Sequence, residues 1–404
     1  MSSNEWKEIA LGDIAKIIDS LHKTPTYSEH GYPMIRVTDI KGGYLKLENA
    51  LKVPKGVYEE FSKKYKAVID DIVFSRVGSY GISSLVKNSE PFCLGQNTVF
   101  IVPKINKRYV YYFLNSSDAK NQIEKLVVGS TQKTISLKSI KEIKLKLPEE
   151  KVQSKIASIL SSLDEKIELN RQTSKTLEAM AQALFKEWFV DFNFPAATGE
   201  MQDSELGEIP KGWKVRKLGD VYKTTSGGTP SRSKPEYYEN GTIRWVKSKE
   251  LDNSFIIETE EKITNAALKN SSAKLLPRHS VLIAMYGATV GEVGIISIDA
   301  TCNQAICAFI PNDNYPYTFI FQFLKNNKAY IISRAVGSAQ QNISQDLLKK
   351  IDIVLPPIAV LNQYHQTANS LFGRIENNEF EIKTLTQLRD ILLQKLMKGE
   401  INIE

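Results

Sequence analysis

The side chains best suited to chemistry lie in polar loops bounded by glycine. Arg76-Val77-Gly78-Ser79-Tyr80-Gly81 follows the strand-like run Asp71-Ile72-Val73-Phe74, and Gly129-Ser130-Thr131-Gln132-Lys133 lies further on. Arginine, tyrosine, serine and threonine donate to phosphate oxygens or base edges, lysine suits phosphate, and glutamine pairs bidentately with adenine in the major groove. Counterparts stand at Tyr286-Gly287-Ala288-Thr289-Val290-Gly291 and Gly337-Ser338-Ala339-Gln340-Gln341. The candidate nucleic-acid contacts are therefore Arg76, Ser79, Tyr80, Ser130, Thr131, Gln132 and Lys133 in the first set, and Tyr286, Thr289, Ser338, Gln340 and Gln341 in the second. Arg36 and Lys41, and likewise Arg244, Lys247 and Lys249, join them because they occupy polar stretches after short apolar runs. Two plainer readings stand beside this one: glycines that serve a turn alone, and basic side chains that are simply solvated. The run Lys138, Lys141, Lys144, Lys146 is open in the same way, as a phosphate-facing stripe or the polar face of an alternating strand.

Enzymatic chemistry finds no comparable support. There is no Gly-x-x-x-x-Gly-Lys-Ser/Thr phosphate loop, and Gly287, Gly291 and Gly294 have the wrong spacing for a dinucleotide fingerprint. The only Pro-Pro pair, Pro356-Pro357, stands at a helix start and not in a motif that would hold a target amine. Glu142-Ile143-Lys144 and Glu381-Ile382-Lys383 fit a Glu-x-Lys nuclease pattern that chance supplies freely. Cys93 and Cys302 occupy apolar surroundings and read as core thiols. Three cysteines and four histidines, with no Cys-x-x-Cys pair, predict neither a disulfide framework nor a structural zinc. No window reaches the roughly 18 apolar residues that span a bilayer, and the amino terminus lacks the features of a signal peptide, so a cytoplasmic protein without a membrane partner is expected. A net charge of +7 is compatible with a polyanionic partner. These readings predict a binding protein with no catalytic or metal-ligating residues of its own.

The elements that position these loops occur twice. Trp6-Lys7 with Leu11-Gly12-Asp13 recurs as Trp213-Lys214 with Leu218-Gly219-Asp220; Ile35-Arg36-Val37 answers to Ile243-Arg244-Trp245, and Cys93 with Gln96 to Cys302 with Gln304. Ile135-Ser136 and Leu147-Pro148 return as Ile343-Ser344 and Leu355-Pro356, and Lys175-Thr176-Leu177 as Lys383-Thr384-Leu385. The offset stays near half of the 404 residues, so one long unit is duplicated. The first part of each unit alternates short β-branched and aromatic runs with Gly, Pro and Asn, which predicts a mixed α and β domain.

The second part is helical. Residues 149–191 contain no Gly or Pro and carry two apolar stripes, Ile156, Leu163, Leu177, Leu184 and Leu160, Ile167, Ala181, Trp188. The second copy repeats them with Tyr364, Leu371, Leu385, Leu392 and Ala368, Ile375, Ile382, Leu396. Asn170 and Asn378 interrupt the stripes at matching places, either as register-fixing buried amides or as solvent-facing residues. Long helices with exposed apolar stripes are unstable alone, so the two are expected to pack on each other, antiparallel under a pseudo-twofold. The fold class read from the sequence is α+β, a tandem duplication of a mixed α/β domain, each followed by a long helix, with the helices forming an antiparallel coiled coil. The predicted segments are a first domain 1–148, a helix 149–192, a linker 193–212, a second domain 213–356, and a second helix and tail 357–404.

With this architecture, the stretch Ser204-Glu205-Leu206-Gly207-Glu208-Ile209-Pro210-Lys211-Gly212-Trp213 resembles the lead-in to the second recognition domain of type I restriction-modification specificity subunits. Trp188-Phe189-Val190-Asp191-Phe192 and the Leu-Pro preceding Gln153 and Gln363 add to the resemblance, which covers essentially the whole chain. It implies two target recognition domains, each reading half of a bipartite, asymmetric double-stranded DNA site, with the helices as spacer. It further implies two methyltransferase subunits that use S-adenosylmethionine, and two motor and nuclease subunits that use ATP and Mg, with no cofactor on this chain. A stand-alone two-domain DNA-binding regulator or scaffold is the alternative.

Overall fold

The computed structural model describes residues 6–129, 132–335, 342–401 and 403. The chain divides into two units, Met1–Glu168 with Thr384–Glu404, and Leu169–Lys383. Each unit therefore holds one globular domain and a length of both long helices.

In the first unit an antiparallel sheet runs in the order Ala15–Asp19, Thr98–Pro103, Ile72–Ser75, Ser83–Leu85. The run Ile72-Val73-Phe74-Ser75 is buried throughout, as expected of a central strand covered on both faces. Alternation sorts its side chains. Ile72 and Phe74, with Val99 and Ile101, face a core shared with the helix Lys107–Asn115, while Val73 and Phe100 face Ile35, Phe92 and Leu94. That second layer is a small sheet in which Tyr32–Ile35 pairs antiparallel with Lys52–Val53 and parallel with Cys93–Leu94. Asn106 caps the covering helix by accepting from Tyr109 N–H, and Ser116 and Ser136 cap the next two helices in the same way. Lys7–Ala10 pairs with Lys144–Leu147, so Lys144 and Lys146 lie on the exposed face of an alternating strand.

The second unit repeats the plan. Lys223–Ser226, Ile306–Ile310, Val281–Ala284 and Val293–Ile296 form the large sheet, extended by Phe255–Ile256. Ile243–Val246 lies between Lys262–Ile263 and the parallel strand Thr301–Cys302. Pairing corrects two matches made from the sequence. Ile35 lies opposite Leu94 as Val246 lies opposite Cys302, so Arg36 corresponds to Lys247, not Arg244, and Cys302 to Leu94, not Cys93. A short apolar-basic triplet recurs by chance within a few residues; ladder register identifies the equivalent positions. All three cysteines are buried, and burial pushes their thiols up to about 12.

The long helices span Glu150–Phe189 and Ile358–Lys398. No helix among the described residues is long and apolar enough to cross a membrane. In the first unit Ile156, Ala157 and Leu160 join Leu393, Leu396 and Met397 in the domain's core. In the second, Ala181, Phe185 and Trp188 join Leu361, Tyr364, Ala368, Phe372 and Ile375. The pairing is antiparallel: Asn170 meets Glu381, Ser174 meets Asn378, and Trp188 meets Tyr364. Gln153, buried at the first helix start, donates to the Pro148 carbonyl at 2.8 Å, whereas Gln363 is exposed.

Candidate nucleic-acid interface

Two parallel strands that finish together place their following residues side by side. In the first domain Tyr32–Ile35 and Cys93–Leu94 do this, and Gly95 N–H donates to the Ile35 carbonyl at 2.8 Å, seating the Gly95-Gln96-Asn97 turn beside Arg36. Arg76 N–H donates to the Asn97 carbonyl and Ile135 N–H to the Arg76 carbonyl, each at 2.9 Å; Gly78 N–H reaches the Lys133 carbonyl at 3.2 Å. The structure thus brings the 76–81 loop against Lys133, Thr134 and Ile135, with the 95–97 turn on the other flank of Arg76. Gly129 is required for conformation: φ is +104° and a Cβ would meet the Gln132 carbonyl oxygen at 2.5 Å.

The second domain builds the same cluster. Asn303 N–H donates to the Val246 carbonyl at 2.9 Å, Met285 N–H to Ala305 at 2.7 Å, and Ile343 N–H to Met285 at 2.7 Å. Lys247, the Asn303-Gln304 turn and the loop from Tyr286 to Gly291 therefore adjoin, with Asn342 bridged to Tyr286. Gly228 N–H donates to the Cys302 carbonyl at 2.9 Å, and Thr229 donates its hydroxyl to the Gln304 side-chain oxygen. A Cβ at Gly227 would run into the Cys302 and Asn303 carbonyl oxygens, so this segment approaches the turn as closely as backbone allows.

Most basic candidates in these clusters are already partnered. Arg36 grips Asp39 through Nε at 3.0 Å and Nη2 at 3.1 Å. Arg76 donates to Asp19 at 2.8 Å and to the Ile135 carbonyl at 3.2 Å, and its side chain is only 12% exposed, so it ties the loops together. Lys133 reaches Glu124 at 2.6 Å and the Tyr80 hydroxyl at 3.2 Å, while that hydroxyl donates to Glu124 at 2.6 Å. Ser79, Gln132 and Lys41 are exposed, Tyr286 and Thr289 half-buried.

In the second domain the acidic stretch Glu258-Thr259-Glu260-Glu261 does the partnering. Lys247 donates to Glu260 at 2.7 Å and Glu261 at 2.8 Å, Lys249 lies 2.7 Å from Glu260, and Arg232 reaches Glu261 at 2.6 Å. The Arg232 guanidinium also lies over Tyr238, 4.2 Å from the ring centre. Hydrogen bonds from Arg232 and then Lys247 hold the Glu261 carboxyl at about 2. Arg244 stands within its strand opposite Lys262, 3.4 Å from Glu258, and does not belong to the loop that follows. Burial disfavours ionisation of Glu258, but the Lys383 hydrogen bond and further cationic neighbours outweigh it and bring that carboxyl to about 2.

Ser130, Thr131, Ser338, Gln340 and Gln341 lie outside the described residues. Asn170 and Asn378 are buried, not solvent-facing. Asn170 donates to Glu381 at 2.9 Å, and Asn378 donates to Ser174 Oγ at 3.1 Å and to the Asn170 carbonyl at 3.4 Å. Residues that reading the loops missed are Gln96, Asn97, Asn303, Gln304, Thr229 and Arg232. The repeat of Gln96 at Gln304 was the available signal.

The sequence profile described as type I restriction modification DNA specificity domain matches residues 3–179 and again 210–388. The chain is 31% identical over 332 residues to the type I restriction enzyme MjaIX specificity subunit of Methanocaldococcus jannaschii, covering 80% of this chain and 76% of that one. It is 27% identical over 471 residues to the HindI specificity subunit of Haemophilus influenzae, covering 98% and 100%. Among solved structures, the S subunit of a type I restriction-modification system from M. genitalium matches with a TM-score of 0.61 at 17% identity over 97% of this chain and 96% of that one, a likeness of fold.

Proposed function

The chain belongs to the type I restriction-modification DNA specificity family, and from that premise we propose that it is the DNA-reading, non-catalytic subunit of such an enzyme. Each recognition domain reads one half of a bipartite, asymmetric duplex site, and the long helices set the separation between halves. Two methyltransferase subunits carry S-adenosylmethionine and modify adenine, and two motor and nuclease subunits carry ATP and Mg; this chain supplies sequence choice and docking surface.

The observation that carries the reading is the recurrence of one loop cluster in both domains. In each, a basic residue, Arg36 or Lys247, and an exposed glutamine, Gln96 or Gln304, stand at the ends of the same two parallel strands. Donors of this kind position a protein on phosphates, and side-chain amides read base edges. The partnered cations fit a protein whose specific binding requires exchange of internal carboxylates for phosphates.

The test uses the source cell. Methylome sequencing before and after deletion of the gene is expected to show loss of one two-part motif, and the tagged full-length chain is expected to recover methyltransferase subunits. An unchanged methylome overturns the reading in favour of a stand-alone DNA-binding protein.

A further inference from the structure

A side chain that reads a base must be exposed, rigidly based and chemically matched to one base edge. Of the cations in the two clusters, Arg36, Arg76, Lys133 and Lys247 are already closed on Asp39, Asp19, Glu124 and Glu260 with Glu261. The turn that precedes Thr98–Pro103 in the first domain and Ile306–Ile310 in the second meets the three conditions better. Resting on the DNA-reading function above, we propose that Gln96 and Gln304 are matched base-reading residues, each specifying one adenine·thymine pair in the half-site of its own domain.

Their equivalence is set by the sheets. Phe100 lies opposite Val73 as Ala308 lies opposite Leu282, and each glutamine stands four residues before that pair. Both are exposed, so neither is retained for packing. Both sit on fixed backbone. In the first domain Thr98 donates its hydroxyl to the Gly95 carbonyl at 2.7 Å, and Asn97 at φ 65° takes the left-handed position of the turn. In the second, Ile306 N–H donates to the Asn303 carbonyl at 3.2 Å, and the Thr229 hydroxyl orients the Gln304 amide through its oxygen. That oxygen keeps a second lone pair, and the amide nitrogen keeps its donors. One acceptor beside one donor fits adenine N6 and N7, whereas guanine O6 and N7 require two donors.

The experiment is methylome sequencing of cells in which the full chain works with its own modification subunits, as wild type, Gln96→Ala, Gln304→Ala, and the corresponding Gln→Glu variants. With alanine, one adenine position in one half-site is expected to relax, losing on the order of tenfold discrimination, and Gln96 and Gln304 are expected to act on different half-sites. With glutamate, which accepts from cytosine N4, the same position is expected to shift toward cytosine. Motifs that stay unchanged in all four variants overturn the proposal. So does a uniform loss of methylation with an unchanged unfolding temperature, since a base reader changes which sites are modified. If even the wild type gives no sequence-specific methylation, the DNA-reading function itself fails, a different result from either.

Discussion

At the residue scale, the cations gathered around Lys247 in the second domain are already neutralised by carboxylates. Glu260 and Glu261 between them hold Lys247, Lys249 and Arg232, and the turn beside Lys247 is capped by Glu250, which accepts from Lys247 N–H at 2.7 Å. Arg36 stands in the same place with Asp39 as its cap, so one local device, a basic residue followed three positions later by an acid, is built twice. The partners differ: Arg36 pairs with its own cap, whereas Lys247 draws on the separate acidic stretch. Replacing Glu260 and Glu261 by glutamine together is expected to tighten DNA binding at low salt. It should also steepen the fall of affinity with salt by roughly two ion contacts, each counted at a slope of about 0.9. Titrations at several salt concentrations measure this; an unchanged affinity and slope would show that these cations never meet phosphate.

At the element scale, the helix seams contain buried amides and charges that the heptad pattern alone would fill with apolar groups. Burying Asn170 and Asn378 costs stability that apolar residues would recover, while their hydrogen bonds favour one register. The double change Asn170→Leu with Asn378→Leu is expected to raise the unfolding temperature by a few degrees and to broaden the association states seen in sedimentation. Lowered stability with unchanged association counts against a register role. A second element-scale feature joins the second helix to its domain. Glu376, buried on the helix, takes a hydrogen bond from Arg278 at 2.7 Å and lies 3.5 Å from His279, which stacks on Tyr317; His365 shares a hydrogen bond with Thr318. Burial, and then repulsion from His279, lower the His365 pKa below its ordinary 6.5. A depressed folded pKa means stability that is full above 6.5 and is lost as pH falls through the lowered value. Glu376 behaves likewise further down: burial opposes its charge, His279 and Arg278 outweigh burial, and its contribution, present above 4.5, is lost on acidification. The unfolding temperature is therefore expected to fall between pH 7 and pH 5, and His365→Gln to flatten that first slope. An identical slope in the variant removes His365 from the account.

At the scale of the whole molecule, the proposed function together with the duplication predicts that the two domains are separable, each reading its own half-site. Exchanging residues 1–148 for the first domain of another family member is expected to change one half-site only. Matched four-residue insertions, one in each long helix beside Asn170 and Asn378, add about one turn, roughly 6 Å. They are expected to lengthen the gap between half-sites by one or two base pairs and leave both half-site sequences intact. Methylome sequencing reads both outcomes. A swap that altered both halves would refute independence, and an unaltered gap would refute the spacer role.

Much of this is legible in the sequence alone. The duplication, the two apolar stripes ending at Trp188 and Leu396, the central strands such as Ile72–Ser75, and the glycine-bounded loops all follow from composition and periodicity, which are local properties of the chain. The division into units is not, because each domain's core recruits residues from both helices, Leu160 beside Leu396 in one and Trp188 beside Tyr364 in the other. Nor is the true equivalence of Arg36 with Lys247, which depends on strand register. The proposed recognition surface is half visible: sequence marks which side chains can donate, but only folding brings Glu260 and Glu261 to Lys247, or Asp19 to Arg76, and sets Gln96 and Gln304 at the ends of parallel strands. Periodicity is carried by neighbours along the chain, whereas the partner of a charge is chosen by packing between segments far apart in it.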